Sequence, residues 1–462
     1  MSNVLLLISD EHNPRVSEPY GHPMVQTPYM ARLADEGTLY QNAYCSSPLC
    51  MPSRSAFVSG RWVHDIQTYS NSNAAMETFS FPSYGAVLAE QGVHTVHIGK
   101  TDVYRPGVDL GFSEMILPQD RTPPGDTYHG RTPLTLRTGA AERADGFGPR
   151  TDIDPFSPDR HYVDAALDWL ENRAPKINGP WLLSVNLNEP HFPQWVTPEL
   201  WDMYPQGGDL PTHGRDCASA NHPYALDLRA HFETDLFSEE QVRGLRRGYL
   251  GCVTWTDRQL GKLLDALERL GLRENTDVIY TSDHGEMLGK FNMWWKCSLL
   301  DDSVRVPLIA AGPHFAQQTV TTPVQHLDLQ ATLFDCLGCE RPDWPGESLL
   351  SLQANDPQRT IFAEYHGHGT RSGAYMVRRG GWKLIYCMAA PHLLYDLDSD
   401  PEELVDRAAD HPEIVSELTQ ALRRVCSPEV ENERAHAFER HQLNRVVADG
   451  GTIGSNSWKL KK

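Results

Sequence analysis

Three apolar runs, each closed by a polar and acidic cluster, constrain the fold of this chain more than any other feature. Val4 to Ile8 leads into Ser9-Asp10-Glu11-His12, Trp181 to Leu187 into Asn188-Glu189-Pro190-His191, and Val278 to Thr281 into Ser282-Asp283-His284-Gly285-Glu286. An unbroken apolar run without alternation suits a strand covered on both faces, as in a parallel sheet packed between helices. Acids at the carboxyl ends of such strands stand where open α/β sheets hold their ligands. Helical patterns separate the runs. Thr27-Pro28 opens a helix carrying Met30, Leu33 and Ala34 and closed by Gly37; Pro82-Ser83 opens another, closed by Gly92. The strand Val93 to Ile98 delivers Gly99-Lys100-Thr101-Asp102, and His161 to Arg173 is amphipathic. Ser238-x-x-Gln241 is a capping box opening the longest helix, with Leu260, Leu263, Leu264, Leu267 and Leu270 on its inward stripe. A strand over Arg305 to Ala311 and a helix over His326 to Leu337 follow. The alternation predicts a mainly parallel sheet with helices on both faces.

A chain of 462 residues exceeds one ordinary core. Residues 104–160 and 200–235 read as irregular insertions, the first rich in Pro, Gly, Asp and Arg; loops of such length are usually active-site lids or disordered. After about residue 355 the pattern changes to short strands, Thr360 to Tyr365, Ala374 to Arg378, Trp382 to Cys387 and Leu393 to Leu397, then one amphipathic helix, Pro412 to Cys426. The expected division is a catalytic unit over 1–355 and a small C-terminal α+β unit with a polar tail over 356–462, the tail carrying Gly450-Gly451 and a Lys-rich end. The net charge of -20 argues against a nucleic-acid binder or an anionic membrane surface as partner. The start of the chain lacks a basic n-region, and no run is long enough to span a bilayer. With nine scattered cysteines, an odd number, the expectation is free thiols in a cytoplasmic protein.

The chemistry centres on Cys50-Met51-Pro52-Ser53-Arg54, which runs on to Ser59-Gly60-Arg61. A proline just after the cysteine fits the start of a helix, where its missing N–H costs nothing. Cys50 then sits at a helix N-terminus, which favours an anion, and Arg54 returns a guanidinium to the same place. Asp10 with Glu11, Cys50 with Arg54, Lys100, and Asp283 with His284 all reach one edge of the expected sheet. Carboxylates, one imidazole and a basic rim suit a hard cation that holds an oxyanion.

These motifs resemble the type I, formylglycine-dependent sulfatases of the alkaline phosphatase superfamily. Cys-x-Pro-Ser-Arg resembles that family's signature; Ser282-Asp283-His284-Gly285 with Lys296 and Val304-Arg305-Val306-Pro307-Leu308 resembles its second motif. Pro190-His191 and Leu394-Tyr395-Asp396-Leu397-x-x-Asp400-Pro401-x-Glu403-Leu404 are similar to two further family patterns. The implied fold is an alkaline-phosphatase-like α/β sandwich, a large mixed, mainly parallel sheet flanked by helices, plus a small C-terminal antiparallel sheet with one helix. The resemblance implies that Cys50 is oxidised to formylglycine by a maturation enzyme, with Arg54 orienting the hydrated aldehyde. It implies a divalent cation, most often Ca2+, with Mn2+ and Mg2+ as alternatives, on Asp10, Glu11, Asp283 and His284. Glu11 stands where many members have Asp or Gln. Lys100, His191 and Lys296 would bind the sulfate, with His191 or Lys296 protonating the leaving oxygen.

The implied reaction is attack of one hydrate hydroxyl on sulfur, expulsion of the alcohol, and release of sulfate as the aldehyde re-forms. Many sulfatases have a histidine two residues after the Gly-Lys pair; here Asp102 stands there, in Gly99-Lys100-x-Asp102-x-Tyr104. That feature, with Glu364-Tyr365-His366-Gly367, Ala374 to Arg378 and Trp382-Lys383, resembles the arylsulfatase K-like members, which are glucuronate-2-sulfatases; the approach to Cys50 and the polar tail resemble choline sulfatases. His366 is a pocket candidate on this basis. Asp102 is expected to pair with Lys100 or Arg54, or to accept hydrogen bonds from leaving-group hydroxyls, which would favour a hydroxylated alcohol. The expected partner is a small organic or sugar sulfate ester. A phosphonate monoester or phosphodiester hydrolase of the same superfamily is the alternative, and a non-catalytic binding module is a third reading that the complete motif set disfavours. The sequence leaves a homo-oligomer open.

Overall fold

The computed structural model describes residues 2–71, 81–103, 107–121, 130–206 and 208–448. Tyr104, Gly450-Gly451 and the Lys-rich end lie outside the described residues. The large sheet is built from β1 (Asn3–Ser9), β2 (Thr38–Tyr40), β3 (His94–Lys100), β4 (Glu114–Gln119), β5 (Trp181–Asn186), β6 (Thr276–Ser282), β7 (Leu308–Ala311) and β8 (Gln318–Val320). Their order across the sheet is β8-β2-β7-β6-β1-β5-β3-β4. β1 pairs in parallel with both β5 and β6, β3 with β5 and β4, and β8 with β2; β7 runs antiparallel to β6 and β2, so the sheet is mixed.

The unbroken apolar runs become the central strands because both faces are covered. Val4, Leu6 and Ile8 face one core and Leu5 and Leu7 the other. The first core is shared with α2 (Cys50–Ser59), α3 (Tyr84–Glu90) and α7 (His326–Leu337); the second with α1 (Pro28–Glu36), α4 (Ser157–Asn172) and α6 (Glu239–Arg269). The capping box forms as expected: Ser238 accepts from the Gln241 N–H while the Gln241 side chain accepts from the Ser238 N–H. A small sheet of β9 (Thr360–Tyr365), β10 (Ala374–Arg379), β11 (Trp382–Cys387) and β12 (Leu393–Asp396) is antiparallel throughout and carries α8 (Pro412–Val425) on one face.

The structure departs from the sequence reading in four places. Within 104–160 lies β4, the edge strand of the large sheet, and α4 opens at Ser157 rather than His161. The second insertion contains a helix, α5 (Pro223–Phe232), packed into the first core. Arg305 to Ala311 is broken at Pro307: Arg305–Val306 pairs with Ala43–Tyr44 in a separate small sheet, and only β7 joins the large one. The small sheet is accompanied by two helices, because the segment read as a polar tail forms α9 (Pro428–Ala448). Tertiary contacts hold α9: Tyr375 donates to the Pro428 carbonyl at 2.9 Å, Asn432 accepts from the Gly373 N–H at 2.7 Å, and Glu439 accepts from the Arg131 N–H at 3.0 Å. The nine cysteines form no disulfide, and no helix among the described residues is long and apolar enough to cross a membrane.

Candidate active site

β1, β6 and β3 end side by side and deliver Asp10, Asp283-His284 and Lys100 to one edge of the sheet. Over this edge α2 begins at Cys50 itself, so Pro52 is its third residue rather than its first; its N–H would still lack an intrahelical partner there. Every residue of α2 is buried. The Met51 N–H is satisfied by Asn71 at 3.0 Å, and Ser53 donates to the Asp283 carbonyl at 2.6 Å, which pins the helix to the end of β6. Gly99 has φ 89°, and a Cβ there would lie 2.3 Å from the Asn186 carbonyl oxygen; glycine permits the kink that turns Lys100 inward.

Cys50 Sγ lies 3.4 Å from His284 Nε2, 3.3 Å from Lys296 Nζ and 3.9 Å from Asp10 Oδ1. Donor atoms of Asp10, Cys50, Asp283 and His284 all fall within 4.8 Å of one another, and those of Asp10, Glu11 and His191 form an adjoining group. His284 Nδ1 faces the Gly285 carbonyl at 3.0 Å, which makes it the protonated nitrogen and turns the Nε2 lone pair toward Cys50 and Asp10. Arg54 Nε donates to Asp283 at 2.7 Å, while Nη1 reaches Asn186 at 3.3 Å and the Lys100 carbonyl at 3.4 Å. Lys100 sits on Asp10 and lies 3.7 Å from Asp102. Lys296 Nζ is 3.1 Å from Glu11, whose carboxylate also meets His191 Nε2 at 3.2 Å. Glu11 has φ 66°, and Trp295 and Cys297, flanking Lys296, have φ 63° and 77°; such strained backbone clusters at working sites.

Burial and charge set the protonation of these groups. Burial raises Asp283, but the charge of Arg54, with those of Lys100 and Lys296, outweighs it and holds the carboxyl well below its usual range. Burial pushes His284 down to about 3, only partly opposed by Asp283, so its imidazole is neutral. Burial, with Lys296 and Lys100 nearby, likewise keeps His191 neutral. Lys100 is pushed down to about 8 by burial against the pull of Asp102 and Asp283. Lys296 moves up despite its burial, because Cys50, Glu11 and Asp283 surround it. Burial raises the Cys50 thiol. Glu11 is raised by burial and by Glu286, against Lys296. Anionic oxygens with one neutral imidazole are a donor set that a hard divalent cation suits.

A small cavity lined by Arg54, Asp283, His97, Asn186 and His326 adjoins this cluster. A second small cavity, in front of Lys296, is lined by His191, Arg121, Arg137, Arg143, Trp295 and His368 among others. Arg143 lies across the faces of Phe192 and Trp295, with its guanidinium 3.9 and 4.4 Å from the ring centres. Sequence reasoning named His191 and Lys296 but missed Arg121, Arg137, Arg143, Trp295 and His368. The arginines lie in the first insertion, where no periodicity marks them. Asp102 bonds Arg121 at 2.7 Å and lies near Lys100, both cations outweighing its burial, and it does not line the front cavity. His366 does not line it either: its ring bonds Glu364 at 2.8 Å, Glu364 in turn bonds His64, and His368 lines the cavity instead.

The model of the family described as Sulfatase matches residues 2–339, which is most of the chain. The chain belongs to the sulfatase family. It is a type I sulfatase of the alkaline phosphatase superfamily and a sulfuric ester hydrolase. A second family model, N-sulphoglucosamine sulphohydrolase, C-terminal, matches residues 289–427 of this sulfatase. It is 30% identical over 433 residues to a choline-sulfatase of Rhizobium meliloti (strain 1021), covering 88% of this chain and 82% of that protein. It is 29% identical over 484 residues to arylsulfatase K of Bos taurus, covering 98% and 87%. Among solved structures, the phosphonate monoester hydrolase of Agrobacterium radiobacter shares the fold with a TM-score of 0.73 at 23% identity, covering 92% of this chain and 95% of that one. A 2-O GAG sulfatase shares it with a TM-score of 0.71 at 23% identity, covering 92% and 91%.

Proposed function

We propose that this sulfatase hydrolyses the sulfate monoester of a small alcohol that carries its own negative charge, with residue 50 working as formylglycine made by a maturation enzyme. The observation that carries the reading is the convergence of Asp10, Cys50, Asp283 and His284 on one point, bracketed by Lys100 and Lys296. Asp10, Glu11, Asp283 and His284 are the residues that would hold a divalent cation. Formylglycine would supply a hydrated aldehyde as the nucleophile toward sulfur, and a cation held by these residues would lower the pKa of its hydroxyl.

The Cys50 Sγ stands in for that hydroxyl oxygen. Arg54, fixed by Asp283 and Asn186, is the guanidinium that would orient the hydrated aldehyde. Lys100 and Lys296 offer fixed cationic donors to the sulfate oxygens, where charge builds as the ester bond breaks. Lys296 is the proton donor to the leaving alcohol. It is charged, whereas the neutral His191 spends its Nδ1 proton on the Phe192 carbonyl at 2.6 Å and turns a bare Nε2 inward. Arg121, which is paired with Asp102, and Arg137 and Arg143 line the front cavity, and this basic lining supports reading an anion on the alcohol. The choline-sulfatase relative is named for an ester that carries a quaternary ammonium instead.

The experiment pairs turnover on an aryl sulfate with the matching aryl phosphonate, and on choline sulfate with a sulfated uronate. The reading expects sulfate over phosphonate and uronate over choline. Preference for the phosphonate would favour the alternative hydrolase; preference for choline would overturn the charge reading of the cavity.

A further inference from the structure

At the opposite end of the sheet from Cys50, four elements bring unlike donors together. Ser2 precedes β1, Asp277 is the second residue of β6, His314 lies in the turn after β7, and Cys336 is in the last turn of α7. Asp277 and Cys336 are fully buried, while the His314 side chain keeps 31% of its surface and gives access from solvent. His314 Nδ1 lies 2.7 Å from Asp277 Oδ2, and the His314 N–H donates to Asp277 Oδ1 at 3.1 Å. The Ser2 hydroxyl bonds Asp277 and lies 3.3 Å from the same His314 nitrogen. Donor atoms of Asp277, His314 and Cys336 all fall within 4.8 Å of one another.

The backbone is shaped for this approach. Gly312 has φ 149°, and a Cβ there would lie 2.6 Å from the Asp277 Cα, so only glycine lets the turn press His314 onto the start of β6. A Ser-His-Asp hydrolytic arrangement is excluded, because a single ring nitrogen faces both Ser2 and Asp277, whereas that chemistry uses the two nitrogens separately. One thiol, one imidazole and one carboxylate are instead the mixed donors that a borderline divalent ion prefers over Ca2+ or Mg2+.

We infer that Asp277, His314 and Cys336 form a second metal site, for a zinc-like divalent cation, with the Ser2 hydroxyl or a water completing a tetrahedron. Bonds of about 2.0–2.3 Å would hold the donors roughly 3.3–3.7 Å apart, so His314 and Asp277 need separate by only about an ångström. On binding, the Cys336 thiol gives its proton to solvent and its sulfur bonds the metal. The ion would tie the start of β1 and the end of α7 to the central strands, away from the reaction.

The test uses the full-length Cys50→Ala protein, stripped with a chelator, so that the thiol beside the active site cannot contribute. Added Co2+ should produce a thiolate-to-cobalt charge-transfer band that saturates and is bleached by Zn2+. The oxygen and imidazole donors at Asp10 and Asp283 give no such band. Cys336→Ala should abolish it, and His314→Ala should weaken Co2+ affinity at least tenfold. Absence of the band, or its survival in Cys336→Ala, would overturn the inference. Should Cys336→Ala fail to fold, the partly exposed His314→Ala decides: unchanged affinity overturns it as well.

Discussion

Asp102→Asn is the substitution whose outcome the structure changes most. The sequence leaves Asp102 either to pair with Lys100 or Arg54 or to accept hydrogen bonds from the hydroxyls of the alcohol, and only on the second reading does its loss hurt a hydroxylated substrate more than an aryl one. The structure turns its carboxylate onto Arg121 at 2.7 Å and toward Lys100 at 3.7 Å, with only 4% of its side chain exposed. The amide is nearly isosteric and keeps an acceptor, but it removes the charge that both cations face. Losing a buried charge-assisted hydrogen bond costs about 1.5–3 kcal/mol. If that cost appears in the placement of Lys100 beside the sulfate, kcat/KM falls about 10- to 150-fold, at about 1.4 kcal/mol per decade. The loss should be the same within about threefold on a sulfated sugar and on an aryl sulfate, because Lys100 serves the sulfate common to both. The assay is kcat/KM for both substrates with both proteins. A loss ten or more times larger on the sugar would mean that Asp102 touches the alcohol, and an unchanged kcat/KM would remove it from the site altogether.

Further outcomes follow from the same geometry. Arg143→Gln should lower kcat/KM on an anionic alcohol ester at least tenfold more than on a neutral aryl sulfate, and equal losses would assign Arg143 to packing against Phe192 and Trp295. Lys383 is fully buried between Asp301 at 2.7 Å and Glu403 at 2.8 Å, so Lys383→Met strands two carboxylates and should cost about 3–5 kcal/mol in a denaturant melt; a loss under about 1 kcal/mol would contradict that. Burial opposes the charge on His64, yet Glu364 prevails and lifts it to about 9 from the usual 6.5. The folded pKa is raised, so this stabilisation is complete below about pH 6.5 and disappears as pH rises through about 9; it amounts to about 3 kcal/mol. The stability gap between the parent and His64→Gln should therefore shrink from pH 6 to pH 9.5, and a constant gap would refute the pairing.

The central strands and the residues at their ends were legible because each is written locally: an apolar run, then an acid or a basic residue. Asp10, Lys100 and Asp283-His284 lie at strand ends, and Cys50 opens a helix marked by its proline. The front cavity was not legible, since Arg121, Arg137, Arg143 and His368 come from segments without periodicity and meet only through the tertiary fold. His366 and His368 differ by two places, and only the partners decide between them: Glu364 takes the first, and the second lies in the cavity. α9 escaped notice for a related reason. Its sequence is polar, and the groups that order it, Tyr375, Gly373 and Arg131, are far away in the chain.

The central claim is that residue 50 works as formylglycine beside a cation. The direct measurement is the mass of the peptide containing residue 50, taken on the same sample whose turnover of a sulfate ester is assayed, over preparations with different degrees of conversion. The account predicts activity proportional to the converted fraction and none at zero conversion. Full activity in protein carrying only unmodified Cys50 would contradict it.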